Sequence, residues 1–97
     1  MIKKLELMPY AQAHIEIDEN DAKTLVSYRT VVAYIDSDGW LEVYGLYSAT
    51  TRRHIGAFVK EFSCLDYQTA KQIYNDNMRI NIHTGEVEPL FDDDDDE

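Results

Sequence analysis

The sequence predicts an α+β domain: an antiparallel sheet of three to five strands with two helices packed on one face. Three observations lead to this class. Segments rich in β-branched and aromatic residues, or partly alternating, occupy residues 2–17, 25–36 and 40–47. The period changes to 3.6 directly after Tyr47, where Ile55, Phe58, Val59 and Phe62 fall at i, i+3, i+4 and i+7 on one helix face. Clusters of Asp, Asn, Ser and Gly separate these segments, as turns require. The order is therefore β, ββ, αα, β, and each helix has one apolar stripe to bury.

Taken in order, Ile2, Leu5, Leu7, Ala13, Ile15 and Ile17 read as an edge strand broken near Pro9, which excludes a continuous helix or a central ladder position there. Asp18-Glu19-Asn20-Asp21 is a polar break. Leu25, Val31, Val32, Tyr34 and Ile35 predict one strand over residues 25–36. Asp36-Ser37-Asp38-Gly39 then supplies turn carboxylates and a glycine for the left-handed position, so residues 40–47 return as the second arm of a hairpin. A helix follows over 49–62, capped by Ser48 or Thr50, with Thr51 able to do the same further in. Gly56 inside it is either a close approach or a tolerated surface residue. Asp66 caps a second helix over 66–76 that buries Ala70, Ile73 and Tyr74. Residues 78–82 form a short strand, His83-Thr84-Gly85 a turn and residues 86–88 a return strand.

Ninety-seven residues fit one domain, placed at 1–91, with an acidic disordered tail at 92–97. The net charge is −10, but the last six residues carry six of the nineteen acids, leaving nine basic and thirteen acidic side chains, a net of −4, in residues 1–91. That balance opposes non-specific attraction to nucleic acid or anionic lipid and favours partners with a basic surface. Cys64 is the only cysteine, which excludes an internal disulfide and a zinc site of paired thiolates, and makes a reducing cytoplasmic setting the default. It is expected to be buried between the helices. No apolar run has the length of a signal peptide or a membrane span.

Two groups of side chains carry candidate chemistry. Glu16, Asp18, Glu19, Asp21, Asp36 and Asp38 cluster at two turns, where they are either a surface for a basic partner or a solubilising face. Thr50, Thr51, Arg52, Arg53 and His54 place two arginines and a histidine in the first turn of a helix whose dipole is already positive there. Either they converge on a phosphate or carboxylate, or the arginines pair with nearby acids while the threonines cap. Tyr28, Tyr34, Tyr44, Tyr47 and Trp40 suit core or interface packing better than base stacking, which would need more cations than Arg29 beside the rings. The first acidic turn lacks the glycine of a calcium loop and neither turn has its terminal glutamate, and Cys64 and the three histidines lie in no nucleophile context. No catalytic residue, metal ligand or cofactor is assigned.

The segment SYRTVVAYIDSDGWLEVYGLYSATTRRHIGAFVKEF, residues 27–62, resembles a group of small bacteriophage and prophage proteins through Tyr47, Ser48, Thr50, Thr51, His54 and Phe58. The shared pattern is Tyr-Ser-x-Thr-Thr-x-x-His at a helix start. The resemblance implies a phage accessory gene acting in the bacterial host cytoplasm. It raises the class of acidic phage inhibitors of host defence nucleases, anti-CRISPR proteins included, without carrying a reaction. The function expected is thus a non-enzymatic accessory protein that binds a basic host protein surface, as a nucleic-acid mimic would. The alternatives are a nucleic-acid or phosphate-binding module using Arg52, Arg53 and Lys60, and a phage structural protein assembled through aromatic strand edges.

Overall fold

The computed structural model describes residues 1–90. The chain runs β1 (Ile2–Lys3), β2 (Ala13–Ile17), β3 (Lys23–Ser27), β4 (Thr30–Ile35), β5 (Trp40–Val43), α1 (Ala49–Phe62), α2 (Tyr67–Asn75), β6 (Met78–Asn81) and β7 (Val87–Pro89). The strands form one antiparallel sheet of seven, and their order in space is their order in the chain. Its edges, β1 and β7, are two and three residues long and hold no aromatic residue, which leaves little free edge for pairing with another chain. The acidic run 92–97 lies outside the described residues.

The sheet has seven strands where three to five were expected, for two physical reasons. The segment expected as one strand over 25–36 is a hairpin: Ser27 pairs with Thr30, and Tyr28 takes a φ of 59° to reverse the chain in two residues. That position normally takes Gly or Asn, so a tyrosine there gives no turn signal. The amino-terminal segment supplies two strands, with Pro9 in the connection between them, so β2 is paired on both sides and β1 is the edge.

Cross-strand partners share a face. Ile15, Leu25, Ala33 and Val43 are one such row, and Ile35, Leu41 and Ile80 are in the next; all are 8% exposed or less. The register shift between Leu25 and Val26 leaves Val32 unpaired, and both Val32 and Ala33 are fully buried. Both helices cover this face, α1 against β3 and β4 and α2 against β5 and β6. Ile55, Phe58 and Val59 of α1 are fully buried and Phe62 packs at the core's margin. Tyr74, expected on the buried side of α2, is 36% exposed. The other sheet face carries Glu16, Thr24, Tyr34 and Glu42 as a row of partners, flanked by Trp40, Tyr44 and Arg79.

Caps decide the helix ends. Ser48 starts α1, its hydroxyl accepting from Thr51 N at 3.2 Å, and Asp66 starts α2, its carboxylate accepting from Thr69 N at 3.2 Å. Asn77 ends the second helix at φ 56°. Cys64 is exposed, against expectation. Ser63 stops α1 in extended geometry, its hydroxyl donating to Val59 O and accepting from Leu65 N, and Leu65 rather than Cys64 turns toward the core. The amino-terminal arm is pinned on α1. Leu5 is fully buried, Glu6 N donates to Glu61 Oε1 at 2.8 Å, and Lys3 Nζ stands 2.6 Å from Glu61 Oε2, compensating an oxygen that receives no directed hydrogen bond.

Candidate functional site

Three hairpin turns, 18–22, 36–39 and 82–86, leave the same end of the sheet, because β2, β4 and β6 run in one direction. They collect Asp18, Glu19, Asp21, Asp36 and Asp38, expected from sequence, with Glu86, which was not. Two of the carboxylates are held rigidly. Asp18 Oδ1 accepts from Asn20 N at 2.8 Å and Ala22 N at 3.0 Å; Asp36 Oδ1 accepts from Asp38 N and Trp40 N, both at 2.9 Å. Asp18 is exposed and Asp36 half-buried. Asp21 pairs with Lys23 at 3.1 Å, and Glu16, on the adjoining sheet face, with His14 at 2.9 Å. The third turn docks on the second: Ile82 N donates to Gly39 O at 2.8 Å and Asn81 Nδ2 to Asp38 O at 3.1 Å. The Tyr34 hydroxyl records this convergence, its pKa raised by burial and then by Asp36, Asp18 and Glu42. The Tyr44 hydroxyl, 3.1 Å from Glu42 Oε1, is pushed up to about 12 by burial and that carboxylate.

The segment 47–54 divides between the interior and the surface. Thr51 and His54 are 4% and 1% exposed and meet Ser27, itself 2% exposed. Ser27 Oγ lies 3.0 Å from Thr51 Oγ1 and 2.8 Å from His54 Nδ1, and Ser48 Oγ donates to Thr51 Oγ1 at 3.3 Å. One proton order that satisfies these contacts runs Ser48 to Thr51 to Ser27 to His54, with Nδ1 accepting and the ring proton on Nε2. Burial lowers the His54 pKa and keeps the ring neutral. A serine beside a histidine can be a nucleophile and its base, but this hydroxyl is sealed from any substrate. The helix-start motif is thus a cap and a buried polar knot, closed outside by the Tyr28 ring 5.8 Å from His54. Thr51 and His54 are corrected from ligand contacts to interior groups, and Thr50 makes no recorded side-chain hydrogen bond among the described residues.

Arg52 and Arg53 point the other way. They are exposed, and among the described residues neither has the acidic partner that the structural alternative required. Together with Lys60 they line a groove of about 540 Å³ between α1 and the start of α2. Gly56, Ala57, Tyr67, Gln68, Met8 and Asp66 complete its lining. A Cβ on Gly56 would stand 3.3 Å from Tyr67 Cβ, so the glycine does mark a close approach, to a side chain of α2.

The family model DUF8033, a family of unknown function, matches residues 4–79. The chain belongs to this family. No curated protein and no solved structure matches it. The matched span contains every groove residue, the Ser27–Thr51–His54 knot and the acids of the first two turns; β7 lies beyond it.

Some of these groups were legible earlier and some were not. The spacing of Arg52, Gly56 and Lys60 at i, i+4 and i+8 is a single helix stripe and could have located the groove. Nothing local pointed to Ser27, Tyr67 or Glu86. Arg79, also missed, stacks 4.5 Å from the Trp40 ring centroid and is held by Glu42 and Glu88, so the aromatic sheet face carries a cation already neutralised. Among the described residues, His14, His54 and His83 do not meet, no group of three or more His, Cys, Asp and Glu is placed to hold a metal, and no helix is long and apolar enough to cross a membrane.

Proposed function

We propose that this protein is a non-enzymatic binding protein that offers the acidic end of its sheet to a basic macromolecular surface. The observation that carries this reading is the convergence of three turns, which sets Asp18, Glu19, Asp21, Asp36, Asp38 and Glu86 on one end of a rigid sheet. Strands stand about 4.8 Å apart, so alternate turns present carboxylates at roughly 10 Å intervals. The backbone bonds to Asp18 and Asp36 fix those intervals before a partner arrives, which reduces the ordering cost of association. The field of a chain with net charge −10 steers cationic surfaces toward it. The resemblance to phage accessory proteins makes a nucleic-acid-binding host defence effector the first partner class to test, with the acidic array competing for the groove that holds nucleic acid.

The test is competition. Full-length protein is added to candidate effectors bound to labelled nucleic acid, alongside a variant with Asp18, Asp21, Asp36 and Asp38 changed to Asn and Glu19 to Gln. Asparagine preserves the turn hydrogen bonds, so the variant keeps its fold. Salt-sensitive release of nucleic acid by the native chain alone is the expected result. Equal release by the variant, or direct binding of the nucleic acid by this protein, overturns the reading.

A further inference from the structure

We infer that the groove between α1 and the start of α2 is a binding site for a small phosphate monoester carrying a planar ring, a ligand of mononucleotide size. The inference does not rest on the acidic-end reading. It begins with charge. Of nine basic side chains, Lys3, Lys23 and Arg79 pair with carboxylates. Arg52, Arg53 and Lys60 have no such partner among the described residues, although residues 1–91 hold thirteen acids. All three line the same groove. Lys4, Arg29 and Lys71 also lack such a partner among the described residues, so what distinguishes Arg52, Arg53 and Lys60 is that they share one concavity, where they are available to a ligand.

Their placement also opposes local stability. Of the two arginines, Arg52 lies in the first turn of α1 and meets the positive end of the dipole, at about 0.3–1 kcal/mol. Between them and Lys60, Gly56 interrupts a good helix at about 1 kcal/mol relative to alanine. The same features make a site. A guanidinium group grips phosphoryl oxygens in bidentate fashion, and Arg52 and Arg53 both line the groove. Gly56 lets Tyr67 come close to α1, and Tyr67, which also packs against the core, gives the groove an apolar wall. Lys60 lies eight residues beyond Arg52, about 12 Å along the axis, which sets the length the site accommodates. The volume of about 540 Å³ falls within the range of small-molecule sites.

Titration calorimetry of the full chain at low salt, with AMP, adenosine and inorganic phosphate as separate probes, tests the assignment. Amide chemical shifts locate any binding. AMP is expected to bind at least about tenfold more tightly than either fragment, with shifts concentrated at Gly56 and Tyr67. Arg52→Gln/Arg53→Gln, exposed changes that keep the fold, should weaken AMP by about tenfold or more while leaving the nucleic-acid competition described above intact. No saturable AMP binding, binding no tighter than inorganic phosphate, or binding indifferent to the arginine changes would each overturn it.

Discussion

Ser27→Ala removes one hydroxyl and thereby tests whether the helix-start motif is structural. In the native chain that oxygen serves His54 Nδ1 at 2.8 Å and Thr51 Oγ1 at 3.0 Å, all three residues being 4% exposed or less. Thr51 keeps Ser48 as a partner at 3.3 Å, so it loses about 1 kcal/mol, the net value of an ordinary hydrogen bond. His54 Nδ1 is left without a partner in the interior, at about 1–3 kcal/mol. The sum is about 2–4 kcal/mol, a large part of the 5–15 kcal/mol typical of a domain. At roughly 4–8 °C per kcal/mol for a chain of this length, Tm should fall by about 8–32 °C. Urea denaturation with an unchanged m-value measures the loss. Because replacing both partners by apolar groups removes the orphaned nitrogen, Ser27→Ala/His54→Leu should cost less than the two single changes added together. A loss below about 0.5 kcal/mol, the level of an ordinary surface substitution, refutes the buried knot.

His54 gives this knot a pH dependence. Its folded pKa lies below the ordinary 6.5, so the unfolded chain binds the proton first; the contribution is complete above 6.5 and is lost as pH falls below that value through the folded pKa. Denaturation midpoints should therefore drop between about pH 7 and 5, and His54→Leu should flatten that slope; an unaltered slope would contradict the assignment. Gly39 combines a φ of 93° with a position whose added Cβ would lie 2.5 Å from His83 Cδ2. Gly39→Ala should cost about 1–2 kcal/mol and broaden the amide signals of residues 82–86, while unchanged stability would show that the turn does not need a left-handed residue. Cys64 should react with a thiol reagent stoichiometrically in native buffer, and labelling that requires denaturant would return it to the interior.

How much of the candidate site was readable from sequence divides along the same line as the fold. The residues of α1, the Asp66 cap and the Asp36–Gly39 hairpin follow from period, cap and turn chemistry, all of which act within a few neighbours. The six acids and the two arginines were identifiable as chemistry on the same basis. Their arrangement was not. A left-handed tyrosine at position 28, tolerated because flanking strands hold it, converts one expected strand into two. That conversion reverses every later strand and brings the acidic turns to one end. Only packing decides that Thr51 and His54 face Ser27 from 24 and 27 residues away while Arg52 and Arg53 face solvent. The sequence by itself determined charge, helix positions and the Asp66 cap, since those energies are local, and left the α1 cap open between Ser48 and Thr50. Strand count, the interior knot, the exposure of Cys64 and the groove beside Tyr67 depend on contacts between distant segments, whose free energy exists only once the sheet and helices have closed on one another.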